Sequence, residues 1–193
     1  MTMERVAVIG HSYVSRLEQE IENGKLGINR NLNLPPNYHV RFFGLRGATT
    51  SSLLNSSKLQ DCRDYKPTKI FLQIGGNDIN PHDRSVDVIQ GIRNVIVSLQ
   101  AFGNVRQIIV GSLFQRRKAR GMSADHYNLQ VDIINSSLKK LYDSSRKVHL
   151  WTICGLVKPA WGIWTADGVH LNEVATKQYS RQIRMAVKCD NFR

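Results

Sequence analysis

The sequence predicts an α/β protein in three layers, α/β/α, with a five-stranded parallel sheet in the middle. Short apolar runs alternate with segments of helical period, the pattern that repeated βα units leave in a sequence. The length of 193 residues suits one domain with a substantial core, so residues 1–193 are read as a unit. Blocks of small and polar residues also follow the apolar runs directly, and in an open parallel sheet ligands bind outside the carboxyl ends of the strands.

The first strand is predicted over residues 5–9, where Val6-Ala7-Val8-Ile9 runs into Gly10-His11-Ser12. A second, over residues 39–43, is followed by Gly44-Leu45-Arg46-Gly47-Ala48-Thr49-Thr50, and between the two lies a long irregular connection, residues 23–37, expected to be a surface loop. The third, residues 69–73, leads to Gly75-Gly76-Asn77-Asp78, and the fourth, residues 107–110, to Gly111-Ser112 and a basic loop. A fifth covers residues 148–151. Helical spacing of Val88, Ile92, Val95 and Leu99, and of Tyr127, Val131, Ile134, Leu138 and Leu141, predicts two core-facing helices. A last helix is expected to start from Asn172 as N-cap, with Glu173 in its first turn, and to end near Lys188.

No run approaches the roughly 20 apolar residues needed to span a bilayer, and the first residues lack a secretory-signal pattern, so an intracellular, cytoplasmic protein is expected. Cys62, Cys154 and Cys189 are odd in number and widely spaced, which suggests buried free thiols rather than a disulfide framework or a zinc site. Lys and Arg number 27 against 15 Asp and Glu, a net charge of +12 that favours anionic partners: nucleic acid, an anionic membrane or a negatively charged substrate.

A Ser hydroxyl needs an imidazole within hydrogen-bond reach to act as a nucleophile, and the imidazole works best with a carboxylate fixing its tautomer. Ser12, His170 and Asp167 of Asp167-Gly168-Val169-His170 supply those groups. Acyl transfer also needs donors aimed at the oxyanion. Gly47 offers a backbone N–H and Asn77 a side-chain one. For Ser12 alone, an N-cap role competes with the catalytic one.

These blocks, Val8-Ile9-Gly10-His11-Ser12, Arg46-Gly47-Ala48-Thr49-Thr50, Ile74-Gly75-Gly76-Asn77-Asp78 and Asp167-Gly168-Val169-His170-Leu171-Asn172, resemble those of the SGNH (GDSL-like) hydrolases from Val6 to about Ala175. The resemblance implies a flavodoxin-like α/β/α fold without metal or organic cofactor. It implies Ser12 as nucleophile, His170 as general base and Asp167 as the acid that orients it. The oxyanion hole would be the N–H of Ser12, the N–H of Gly47 and the amide of Asn77. The activity implied is a serine esterase acting on an acyl ester, short-chain or lipid, through an acyl-enzyme. His11 stands where the family usually has Asp. A Gly-His-Ser block in a basic chain is also similar to the esterase-like domains of animal non-LTR retrotransposons and related mobile elements.

The loop Phe114-Gln115-Arg116-Arg117-Lys118-Ala119-Arg120 is the densest positive cluster. Over the site, Arg116 and Arg117 would favour a substrate with phosphate or carboxylate. Otherwise the run is a solvated surface. Trp161 and Trp164 precede Asp167 and either wall an acyl-chain site or steady the loop. Lys177, Arg181, Arg184 and Lys188 recur at helical spacing, as a solvated face would. Set against the esterase is a catalytically weak or inactive module that binds nucleic acid or anionic membrane through this basic surface. A metal-dependent phosphodiesterase needs a carboxylate cluster, for which only Asp78, Asp83 and Asp167 are at hand.

Overall fold

The computed structural model describes residues 3–156 and 162–189. Along the chain run β1 (Glu4–Gly10), α1 (Ser12–Glu22), β2 (Tyr38–Gly44), α2 (Thr50–Leu54), α3 (Ser57–Asp64), β3 (Lys69–Gln73), α4 (Ser85–Gln100), β4 (Gln107–Gly111), α5 (Ala124–Tyr142), β5 (Val148–Trp151) and α6 (Glu173–Lys188). The strands pair in parallel as a 5-stranded sheet in the order β2-β1-β3-β4-β5. Val8 of β1 stands in register with Phe42 of β2 and with Phe71 of β3. The α/β class and the parallel sheet are those the sequence predicts.

Successive side chains of a strand point to opposite faces, and here both faces are covered. Ala7, Ile9, Ile70, Leu72, Ile108 and Val110 pack with Val88 and Ile92 of α4 and Val131 and Ile134 of α5. Their neighbours Val6, Val8, Phe71 and Ile109 pack with Val14 and Leu17 of α1 and Tyr179 and Ile183 of α6. Buried Lys69 donates to the carbonyl of Val187 at 2.9 Å and so ties β3 to the end of α6.

Several expectations need correction. Leu141, predicted on the buried stripe of α5, is 46% exposed, because in the last turn the core-facing position after buried Leu138 is Tyr142, four residues on. Residues 23–37 are not a plain surface loop. Leu26, Leu32 and Leu34 are buried against α1 and β2 and close that end of the core. Of the cysteines, all free, Cys62 is buried, Cys154 exposed and Cys189 intermediate. Among the described residues no helix is long and apolar enough to cross a membrane.

The carboxyl edge of the sheet is crowded where β1 ends. A Cβ on Gly10 would lie 2.0 Å from the carbonyl oxygen of Gln73, so only glycine lets β1 turn into α1 against β3.

Candidate active site

Ser12 is the first residue of α1, and the N-cap is His11, whose ring accepts from the N–H of Tyr13. With the cap supplied by His11, the Ser12 hydroxyl is not used as one. Its N–H belongs to the helix-terminal donors that have no intrahelical acceptor. His11 is buried. That burial, followed by the charges of Arg116 and His170, pushes its imidazole down to about 3, so the ring is neutral at pH 7.

His170 comes from the connection between β5 and α6. Its Nε2 lies 3.1 Å from Ser12 Oγ and its Nδ1 2.6 Å from Asp167 Oδ2. The other carboxylate oxygen of Asp167 accepts from the N–H groups of Val169 at 2.8 Å and His170 at 2.9 Å and from the Thr165 hydroxyl at 2.7 Å. Burial opposes the charge on Asp167. The hydrogen bonds from His170, Val169 and Thr165 outweigh it and hold the carboxyl well below the usual carboxylate range. An ionised Asp167 only accepts, so Nδ1 carries the imidazole proton and Nε2 is left to accept from Ser12.

The turn that carries His170 is pinned from several sides. The Tyr13 hydroxyl donates to the carbonyl of Val169 at 2.6 Å, and the N–H of Arg117 donates to the carbonyl of Gly168 at 2.9 Å. Trp164 and Leu171 form an antiparallel bridge across the turn.

Gly47 has φ +71°, in the left-handed region, and a Cβ there would meet nothing within 4 Å, so its backbone conformation is what calls for glycine. Asn77 Nδ2 donates to the carbonyl of Ala48 at 3.0 Å, while its Oδ1 accepts from Arg116 Nη2 at 2.9 Å. These partners fix which way the amide faces and leave the second Nδ2 hydrogen unspent by them. Asp78 accepts from the N–H of Thr50 at 2.9 Å and so locks the Gly47 loop to the Asn77 loop. Burial raises the Asp78 carboxyl above its ordinary value, against the hydrogen bonds from Thr50.

Ser12, Gly47, Asn77 and His170 line one cleft of about 500 Å³. Asp167 stands behind His170. A hydroxyl and an oriented imidazole on one cleft with Gly47 and Asn77 form an arrangement able to activate the hydroxyl and to hold a developing oxyanion.

Other candidates lie elsewhere. Arg116 is buried behind Asn77, with its guanidinium 4.8 Å from the centre of the Tyr127 ring, rather than on the rim where the sequence places it. Arg117 is exposed beside Gly168, to whose carbonyl its N–H donates, and is not among the described residues that line the cleft. Trp164 is buried with Leu171 in the core under α6, which is the loop-steadying alternative and not an acyl-chain wall. Trp161 lies outside the described residues. Among the described residues the cations that do line the cleft are Arg16, Lys25 and Arg46, with Glu20 beside them in the lining. Arg16 sits four residues after Ser12, one helical turn away, a spacing from which the sequence reading could have found it.

No known family model matches the chain, and no curated protein matches it. Solved structures do. A GDSL-like lipase from Bacteroides thetaiotaomicron superposes with a TM-score of 0.73 at 15% identity, over 96% of this chain and 88% of the other. A member of the lipolytic G-D-S-L family from Veillonella parvula gives 0.71 at 17% identity, over 96% and 98%. A carbohydrate esterase of family 3 from Talaromyces cellulolyticus gives 0.67 at 17%, over 96% and 97%. At these identities the likeness is one of fold, and the fold of this chain is that of the SGNH (GDSL-like) hydrolases.

Proposed function

We propose that the protein is a serine esterase that hydrolyses an acyl ester through an acyl-enzyme. The observation that carries this reading is the chain of contacts Ser12–His170–Asp167 at 3.1 and 2.6 Å, opening on the same cleft as Gly47 and Asn77. Ser12 Oγ attacks the ester carbonyl as His170 Nε2 takes its proton. Asp167 stabilises the imidazolium, and the oxyanion is held by the N–H groups of Ser12 and Gly47 and by Asn77 Nδ2. The tetrahedral intermediate collapses with the alcohol leaving on the proton from His170. Water, activated by the same imidazole, then releases the acid and restores Ser12.

The substrate is an ester with a short acyl group or a lipid, and Arg16, Lys25 and Arg46 favour one that carries a negative charge. His11 does not compete as the base, since it is buried and its ring is spent on capping α1. The likeness to retrotransposon esterase-like domains adds no residue to this mechanism. A metal-dependent phosphodiesterase fits less well. Asp78 is committed to Thr50, Asp167 to His170 and Asp83 to Asn80, and among the described residues no group of acids, His and Cys is placed to hold a metal ion.

The test is hydrolysis of p-nitrophenyl esters from acetyl to long-chain by the wild type and Ser12→Ala. Turnover is expected to fall on the order of 10⁴-fold or more in the variant. Equal turnover in both proteins, or none in a folded wild type, overturns the esterase and leaves the binding module.

A further inference from the structure

The cations of α6 form a second charged feature, apart from the cleft. Val174, Lys177, Arg181, Arg184, Met185 and Lys188 fall on one side of this helix at the 3.6-residue period. Among the described residues none of those cations takes part in a salt bridge, although like charges a turn apart repel one another. Val174 is 76% and Met185 53% exposed. The outward face of α6 is therefore both basic and apolar, and nothing described in the chain covers it.

Lys177, Arg181 and Arg184 also line a groove of about 180 Å³ whose other wall is Gly27, Ile28 and Asn33. Among the described residues that line it there is no carboxylate. The same connection that forms this wall sends Asn23 and Lys25 into the cleft of Ser12. Groove and cleft thus lie on two sides of one loop, and α6 itself starts just beyond His170.

We propose that the outer face of α6 docks the protein on an anionic phospholipid surface, with a lipid phosphate seated in the groove among Lys177, Arg181 and Arg184. A helix face that joins cations to exposed apolar residues matches the boundary between headgroups and acyl chains. Nucleic acid asks for something else. Stacking on unpaired bases needs exposed aromatic rings, and this face offers Val174 and Met185 instead. Docking is independent of turnover and goes beyond the esterase reading.

Co-sedimentation of the whole chain with vesicles of phosphatidylcholine, with and without phosphatidylserine, tests it. Binding is expected only when phosphatidylserine is present, and to weaken with salt. The pair Arg181→Gln and Arg184→Gln should weaken it about 30-fold, at roughly 5-fold per cation. The pair Lys139→Gln and Lys140→Gln, an equal charge change on α5, should leave it nearly unchanged. Val174→Ser keeps every cation and should still weaken binding several-fold. Equal losses in the two Gln pairs, an unaffected Val174→Ser, or no vesicle binding by the wild type would overturn the proposal. So would a single-stranded RNA oligonucleotide that displaces the vesicles and loses its own affinity in the α6 pair. Each of these outcomes is read without any ester hydrolysis, so the proposal fails or stands apart from the esterase.

Discussion

Asp167 does two jobs at once: it orients the His170 ring and, through Val169, His170 and Thr165, shapes the turn that carries it. Asp167→Asn keeps most of the shape and removes the charge that fixes the tautomer, so kcat should fall on the order of 10⁴-fold with KM little moved. A loss under tenfold would mean that another group orients His170. Arg116 acts one step further back. It holds Asn77 Oδ1 and, among the described residues, pairs with no carboxylate, so Arg116→Met should lower kcat about 100-fold while stability changes little. Arg116→Lys lacks the planar fork and should rescue little of that loss. If the Met variant unfolds instead, the arginine is a core strut and not a positioning residue. His11 gives a prediction in pH. Its folded-state value near 3 lies below the ordinary 6.5, so the unfolded chain binds the extra proton between those values. The stability it contributes is complete above about pH 6.5 and is lost as pH falls toward 3, with a slope of up to about 1.4 kcal/mol per pH unit. Urea titrations at stepped pH should show that slope in the wild type and a flatter one in His11→Gln. The residue types of the site were legible because Ser, His, Asp and Asn sit directly after strands or before a capped helix. The parts of Arg116 and Tyr13 were not, since each works through a partner remote in the chain, Asn77 and Val169.

Among the elements, the strands were the most legible, because a strand buried on both faces is a nearly unbroken apolar run. The predicted spans differ from those observed by a residue at some ends, where the turn begins to bend the chain. The short helices α2 and α3 carried little signal. In α3, Ser57–Asp64, Cys62 is buried and Leu59 partly so, and two apolar positions in one short helix set no period. The junction of β1 and β3 supports a prediction at this scale. Gly10→Ala would force a methyl group into the carbonyl of Gln73, and the parallel pairing that brings Ser12 beside the Asn77 loop leaves neither strand free to retreat. The variant should lose about 4 kcal/mol in urea unfolding, at the severe end of single substitutions. A loss below about 1 kcal/mol would show that the junction yields.

At the scale of the molecule, strand order explains why residues far apart in sequence share a cleft. β1 lies between β2 and β3, so the loops after these strands, with Ser12, Gly47 and Asn77, emerge side by side. His170 follows β5 at the sheet's edge and reaches them only by a long return that Tyr13, Trp164 and the Arg117 backbone hold down. Sequence spacing predicts the strands but carries no record of their order, which is why the common rim could be expected and its distances could not. Charge is the other property of the whole. With a net +12, the folded chain holds its cations closer together than the unfolded chain does, and a pair such as Arg30–Glu22 is largely exposed. Sodium chloride screens repulsion over about 10 Å at 0.1 M, so the urea midpoint should rise with salt. The m-value should stay constant, because the surface exposed on unfolding does not change. A midpoint that stays flat would mean the cations stand too far apart for self-repulsion to matter. One that falls would mean that attractive pairs, not repulsion, dominate the surface.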